Sequence, residues 1–80
     1  MLRITVNDRP EGPVMFIEGR LTAASVDLLP EDGAAATLDL GGITFVDRPA
    51  AAALARLARQ GARLLNVPPL VRLLIEGAPS

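Results

Sequence analysis

The chain has 80 residues, half of them hydrophobic, and a formal net charge of −1 from eight cations against nine Asp plus Glu. That length predicts one small domain spanning residues 1–80, which buries only about 60% of the surface its unfolded chain exposes, and the apolar content excludes a disordered chain. With no Cys, no His and no Lys, and with Phe16 and Phe45 the only aromatics, the composition excludes a disulfide framework, a thiolate nucleophile and a tetrahedral zinc site, and argues against a basic or base-stacking nucleic-acid binder.

Leu2, Ile4 and Val6 alternate with Arg3 and Thr5, the period-2 pattern of a half-buried strand. No apolar h-region follows a basic start, and no apolar run approaches the roughly 18 residues needed to cross a bilayer. A soluble cytoplasmic domain without membrane insertion is the expectation. Asn7 to Gly12 is polar and rich in turn formers, which predicts a hairpin loop. Val14 to Glu18 reads as the second strand, preceded by Pro13 and closed by Gly19-Arg20.

Thr22 is placed to cap a short helix from about Ala23 to Leu29, with Leu21 and Val26 in the positions of a hydrophobic staple and Pro30 ending it. Ala36 to Leu40 predicts a third strand. Asp39 inside it reads as a strand-end carboxylate facing solvent or a neighbouring Arg. Gly41-Gly42 predicts a tight turn, after which Ile43 to Val46 returns apolar residues to the core.

The helix pattern is clearest from Pro49 to Gln60. Pro49 suits the first turn, Ala fills the interior, Arg56 and Arg59 suit the C-terminal end, and Gly61 follows as a cap. At 100° per residue, Ala50, Ala51, Leu54, Leu57 and Ala58 form the buried stripe, opposite Ala52, Arg56, Arg59 and Gln60. Arg63 to Val67 reads as the last strand. A final helix follows from about Pro69 to Glu76, ended by Gly77 and Pro79, and it is apolar on more sides than one sheet contact needs. The predicted class is α/β: a small four-stranded mixed sheet, opening as an antiparallel hairpin and continuing through parallel crossovers, with three helices.

Nothing in the sequence assembles a catalytic constellation. Ser25 and Ser80 have no base within their motifs, and Asp39 and Asp47 stand at opposite ends of the glycine segment with nothing converging on them. Gly41-Gly42 is not followed by the Lys and hydroxyl of a phosphate loop. No cofactor or metal is implied. Asp47 is placed to cap the long helix. Arg48 stands at its first turn, where the helix dipole disfavours a cation. Either it is a solvated surface residue, or it contacts an anionic partner surface.

In the order of its elements, and above all from Ala36 to Glu76, the chain resembles the STAS domain family, the type found in anti-sigma factor antagonists and sulfate transporters. The residues that carry the resemblance are Leu38-Asp39-Leu40 with its glycines, Ile43-Thr44-Phe45-Val46-Asp47 before the helix, and Val67-Pro68-Pro69-Leu70-Val71-Arg72-Leu73-Leu74 at the end. Ile4-Thr5-Val6 and Glu18-Gly19-Arg20-Leu21 also fit. In that family the Asp before the helix is followed by hydroxyl residues, the first being the site a partner kinase phosphorylates. The matching positions here are Arg48 and Pro49, so the resemblance implies a switch without its acceptor. The first helix is about half the family's usual length, and the usual final strand and helix do not follow the third.

The resemblance implies a noncatalytic protein-interaction domain of bacterial regulation. Its partner would be an anti-sigma-factor-like kinase, engaged through Asp47, Arg48, Ala52 and Arg56. A second possibility is an accessory subunit on the ATPase of an ABC-type lipid or anion transport system. A third is a homodimer, since a short first helix leaves surface bare.

Overall fold

The computed structural model describes residues 1–78. Pro79, expected to help end the last helix, and Ser80 lie outside the described residues. The chain runs β1 (Leu2–Arg9), β2 (Gly12–Leu21), a 3₁₀ helix (Ala23–Leu28), β3 (Thr37–Val46), α1 (Arg48–Arg59), β4 (Arg63–Leu65) and α2 (Pro69–Glu76). The strands form one mixed sheet in the order β1-β2-β3-β4. The first pair is antiparallel and the next two are parallel, as the sequence predicts. Both parallel crossovers step the same way across the sheet, so right-handed connections put their helices on one face. The other face stays open.

The hairpin is longer than its polarity suggests. Asn7, Asp8 and Arg9 pair with Val14, Pro13 and Gly12, leaving Pro10 and Glu11 as the turn. These polar residues lie on an exposed edge, where strand formation leaves no alternation to read. Gly12 carries the turn back at φ +125°, a backbone that side-chain-bearing residues rarely adopt. Gly19-Arg20 does not close β2; the strand continues to Leu21.

The segment around Gly41-Gly42 is not a turn. Thr37 to Val46 is one strand whose register against β2 slips twice, between Phe16 and Glu18 and between Gly19 and Arg20. Each slip adds one residue on β3, as a bulge does. The extra residues reset the alternation, so Leu38, Leu40, Ile43 and Val46 all reach the core while Thr44 and Phe45 stay exposed.

Asp39 holds this irregular stretch. Its Oδ1 accepts from the Gly41 N–H at 2.9 Å and its Oδ2 from the Asn66 amide at 2.8 Å. It therefore faces neither solvent alone nor an Arg. It joins β3 to the residue after β4, and Asn66 sits there at φ +53°. That left-handed turn ends β4 at Leu65, two residues short of expectation.

α1 lies across the helix-side face. Ala50, Ala51, Leu54 and Leu57 are buried as predicted, but Ala58 is exposed and Ala53 and Ala55 are buried instead. The stripe is wider than one sheet contact requires because α1 also packs against α2 and the 3₁₀ helix. The loop before β3 also lies close against α1: a Cβ on Gly33 would stand 2.4 Å from the Leu57 carbonyl oxygen. The core that results is aliphatic, with Ile17, Leu21, Leu38, Leu40, Leu54 and Leu57 fully buried. Both Phe residues lie outside it, on the open face, with the Arg9 guanidinium 5.9 Å from the Phe16 ring and that of Arg20 5.0 Å from Phe45.

Candidate partner interface at the start of the central helix

The junction between β3 and α1 is built on Asp47. Its backbone is extended, with φ −91° and ψ 176°, and its Oδ1 accepts from the Ala50 N–H at 3.0 Å. That is helix capping as the sequence predicts. The second carboxylate oxygen does something the sequence did not show. Oδ2 accepts from the Ala23 N–H at 2.9 Å, across 24 residues. Thr22, expected to cap the first helix, makes no side-chain cap. Asp47 caps it in its place. The expected α-helix is instead a 3₁₀ helix from Ala23 to Leu28, with no buried residue of its own. Val26 still packs, partly buried, against the core cluster to which Leu21 belongs.

The Asp47 N–H also donates to the Leu21 carbonyl at 3.3 Å. One residue thus ties the end of β2 and the starts of two helices. Both of its carboxylate oxygens accept from backbone donors, which positions the loop.

Arg48 and Arg56 are exposed, with half-buried Ala52 between them. At spacings of four they line one ridge of α1. The first turn of α1 contains no acidic residue. Arg48 sits at the positive end of the helix dipole, which the Asp47 carboxylate at the N-cap offsets. Beside this ridge, Arg48, Pro49, Ala51 and Ala52 face Leu73, Leu74, Gly77 and Ala78 across a groove of about 470 Å³ between α1 and α2. Leu70 and Leu73 on α2 are each 66% exposed, which agrees with the excess apolar character read from the sequence. The closeness of Leu73 to Arg48 and Ala52 could not be read there, because it depends on how two helices lie together.

Among the described residues no cluster of His, Cys, Asp and Glu is arranged to hold a metal ion. No helix among them is long and apolar enough to cross a membrane. The site offers cation, apolar groove and fixed backbone, which suits recognition.

No protein-family model matches the sequence, and none of the curated proteins compared with it does. Among solved structures, the crystal structure of an antisigma-factor antagonist STAS domain from Rhodobacter sphaeroides is similar, with a TM-score of 0.60 and 21% identity. The match covers 82% of this chain and 87% of that one. The fold is that of a STAS domain. Within the STAS fold of this chain, Asp47 closes the third strand and Arg48 opens the central helix, at the loop the sequence motifs pointed to.

Proposed function

We propose that this chain is a noncatalytic STAS-type protein-interaction domain of bacterial regulation, working in the cytoplasm in the manner of an anti-sigma factor antagonist. It binds an acidic patch on a protein partner, of the kind an anti-sigma-factor-like kinase would present, through Arg48, Ala52 and Arg56. Asp47 holds the loop in place. The observation that carries this reading is the cationic ridge of α1: Arg48 and Arg56 are exposed on either side of half-buried Ala52, and Arg48 and Ala52 border the groove between α1 and α2. Similarity of fold to an antisigma-factor antagonist domain supports the class of partner.

Binding is constitutive in this reading. A phosphoacceptor at the helix start needs a hydroxyl, and Arg48 and Pro49 stand at those positions. Incubation with the cognate kinase and ATP is expected to leave the intact mass of the chain unchanged. Stoichiometric labelling of Thr44 or any other residue would overturn that.

The interface is tested by capture from cytoplasmic extract with the wild-type chain and with Arg48→Glu, Arg56→Glu and Arg63→Glu. The first two variants are expected to lose the partner and the third, on the far face of the sheet, to keep it. Retention by Arg48→Glu would remove the helix start from the interface.

A further inference from the structure

The two edges of the sheet are unequal. β4 is three residues long and turns away at Asn66, whereas β1 presents eight residues and pairs with β2 without a register slip. The Arg20 N–H donates to the Met1 carbonyl at 3.2 Å, which makes Met1 and Arg20 a hydrogen-bonded pair of the antiparallel ladder. Such pairs alternate with non-bonded ones. The backbone groups of Arg3, Thr5, Asn7 and Arg9 are therefore spent on β2, and those of Leu2, Ile4, Val6 and Asp8 point outward from the edge. Natural edges of this length are blunted by Pro, a bulge or an inward-facing charge. From Leu2 to Val6, β1 has none of these; its one charge, Arg3, lies on the open side, and its helix-side residues are all apolar. Val6 is 55% exposed on that side.

We propose that the β1 edge pairs with β1 of a second copy of this chain, antiparallel about a two-fold axis at Ile4, joining the two sheets into one. The occupant is chosen by the charges and the pattern together. Parallel pairing in register would set Arg3 against Arg3. Antiparallel pairing centred on Val6 would set it against Arg9, and centring on Thr5 would face Leu2 with Asp8. With Ile4 on the axis, Leu2 of one copy faces Val6 of the other, Ile4 faces Ile4, and Arg3 faces Thr5 on the open side. Apolar residues then meet apolar ones, and no like charges stand opposite each other. The outward backbone groups of Leu2, Ile4 and Val6 all find partners in this register, as a hydrogen-bonded ladder requires. The net charge of −1 offers little repulsion between copies. This surface is separate from the α1 ridge, so the two proposals fail independently.

The test is sedimentation of the purified chain across a concentration series into the high micromolar range. A monomer–dimer equilibrium is expected. Val6→Pro removes an N–H that points away from β2, so it spares the hairpin and is expected to weaken association about tenfold or more. Val6→Lys is expected to do the same while leaving every backbone group in place, and circular dichroism checks that each variant is folded. The register is read by mixing Arg3→Cys chains with Thr5→Cys chains of different mass under oxidation, since the wild type has no Cys. Facing non-bonded residues stand about 4.5 Å apart at Cα, within reach of a disulfide, so mixed dimers should cross-link. A monomer throughout, a dimer indifferent to both Val6 variants, or no mixed cross-link would each overturn the proposal.

Discussion

Two aspartates hold distant parts of this small molecule together, each by spending both carboxylate oxygens on different partners. Asp47 caps α1 at Ala50 and the 3₁₀ helix at Ala23. Asp47→Ala is expected to cost about 1–2 kcal/mol, the usual value of a lost cap, because water can still reach the exposed Ala23 N–H. For a domain of this size that is a fall in melting temperature of ~4–8 °C per kcal/mol. Asp47→Asn keeps one acceptor oxygen and should lose less, which thermal denaturation followed by circular dichroism would show. Arg48→Glu should act in the opposite sense. A carboxylate suits the helix start where a guanidinium does not, so the melting temperature should hold or rise, by ~0.3–1 kcal/mol in stability. Loss of partner capture in that variant is then loss of the interface and not of the fold.

At the scale of elements, the short first crossover is kept by close approach. After the 3₁₀ helix the chain reaches Gly33, whose N–H donates to the Gln60 side-chain oxygen at 2.8 Å beside the Leu57 carbonyl. A methyl group has no room there. Gly33→Ala should push the segment off α1 and cost about 1–3 kcal/mol, as overpacking does. Gly77 makes the contrast. It follows α2 with φ −87°, and its added Cβ would meet only the Leu73 carbonyl oxygen at 3.4 Å. Gly77→Ala should therefore be neutral, or stabilise by about 0.4–1 kcal/mol through the unfolded chain. Urea titrations of the two variants separate the cases: one midpoint falls and the other holds or climbs.

For the molecule as a whole, the division of labour is between an aliphatic core and an open sheet face that carries both aromatics. Leu54 is fully buried at the centre of α1, and Leu54→Ala should cost about 2–5 kcal/mol. That is a large share of the ~4–12 kcal/mol expected for a domain of this length. Phe45 is the larger side chain but is 43% exposed, with its ring under Arg20 at 5.0 Å. Phe45→Ala should lose far less than Leu54→Ala, since an exposed cation–π contact is worth about 0.5–1 kcal/mol. Equilibrium unfolding of the pair would show that residue size does not rank importance here; burial does.

Much of the fold could be read from local pattern. The alternation of Leu2, Ile4 and Val6, the alanine run opened by Pro49 and the paired prolines that cap and open α2 each depend on near neighbours along the chain. They fix element type and order, and hence the mixed four-stranded sheet. The motif around Asp47 likewise placed the candidate interface at the start of α1. What the tertiary structure alone decided are relations between residues far apart. The Gly41-Gly42 stretch is a bulged strand because β2 lies beside it and Asn66 reaches Asp39; taken alone, two glycines read as a turn. Asp47 displaces Thr22 as the cap of the first helix because the ends of β2 and β3 are brought side by side. More of α1 is buried than one stripe, Ala53 and Ala55 included, in a helix that packs against α2 and the 3₁₀ helix as well as the sheet. Local sequence sets which backbone shapes are cheap, and only packing supplies the second partner that selects among them.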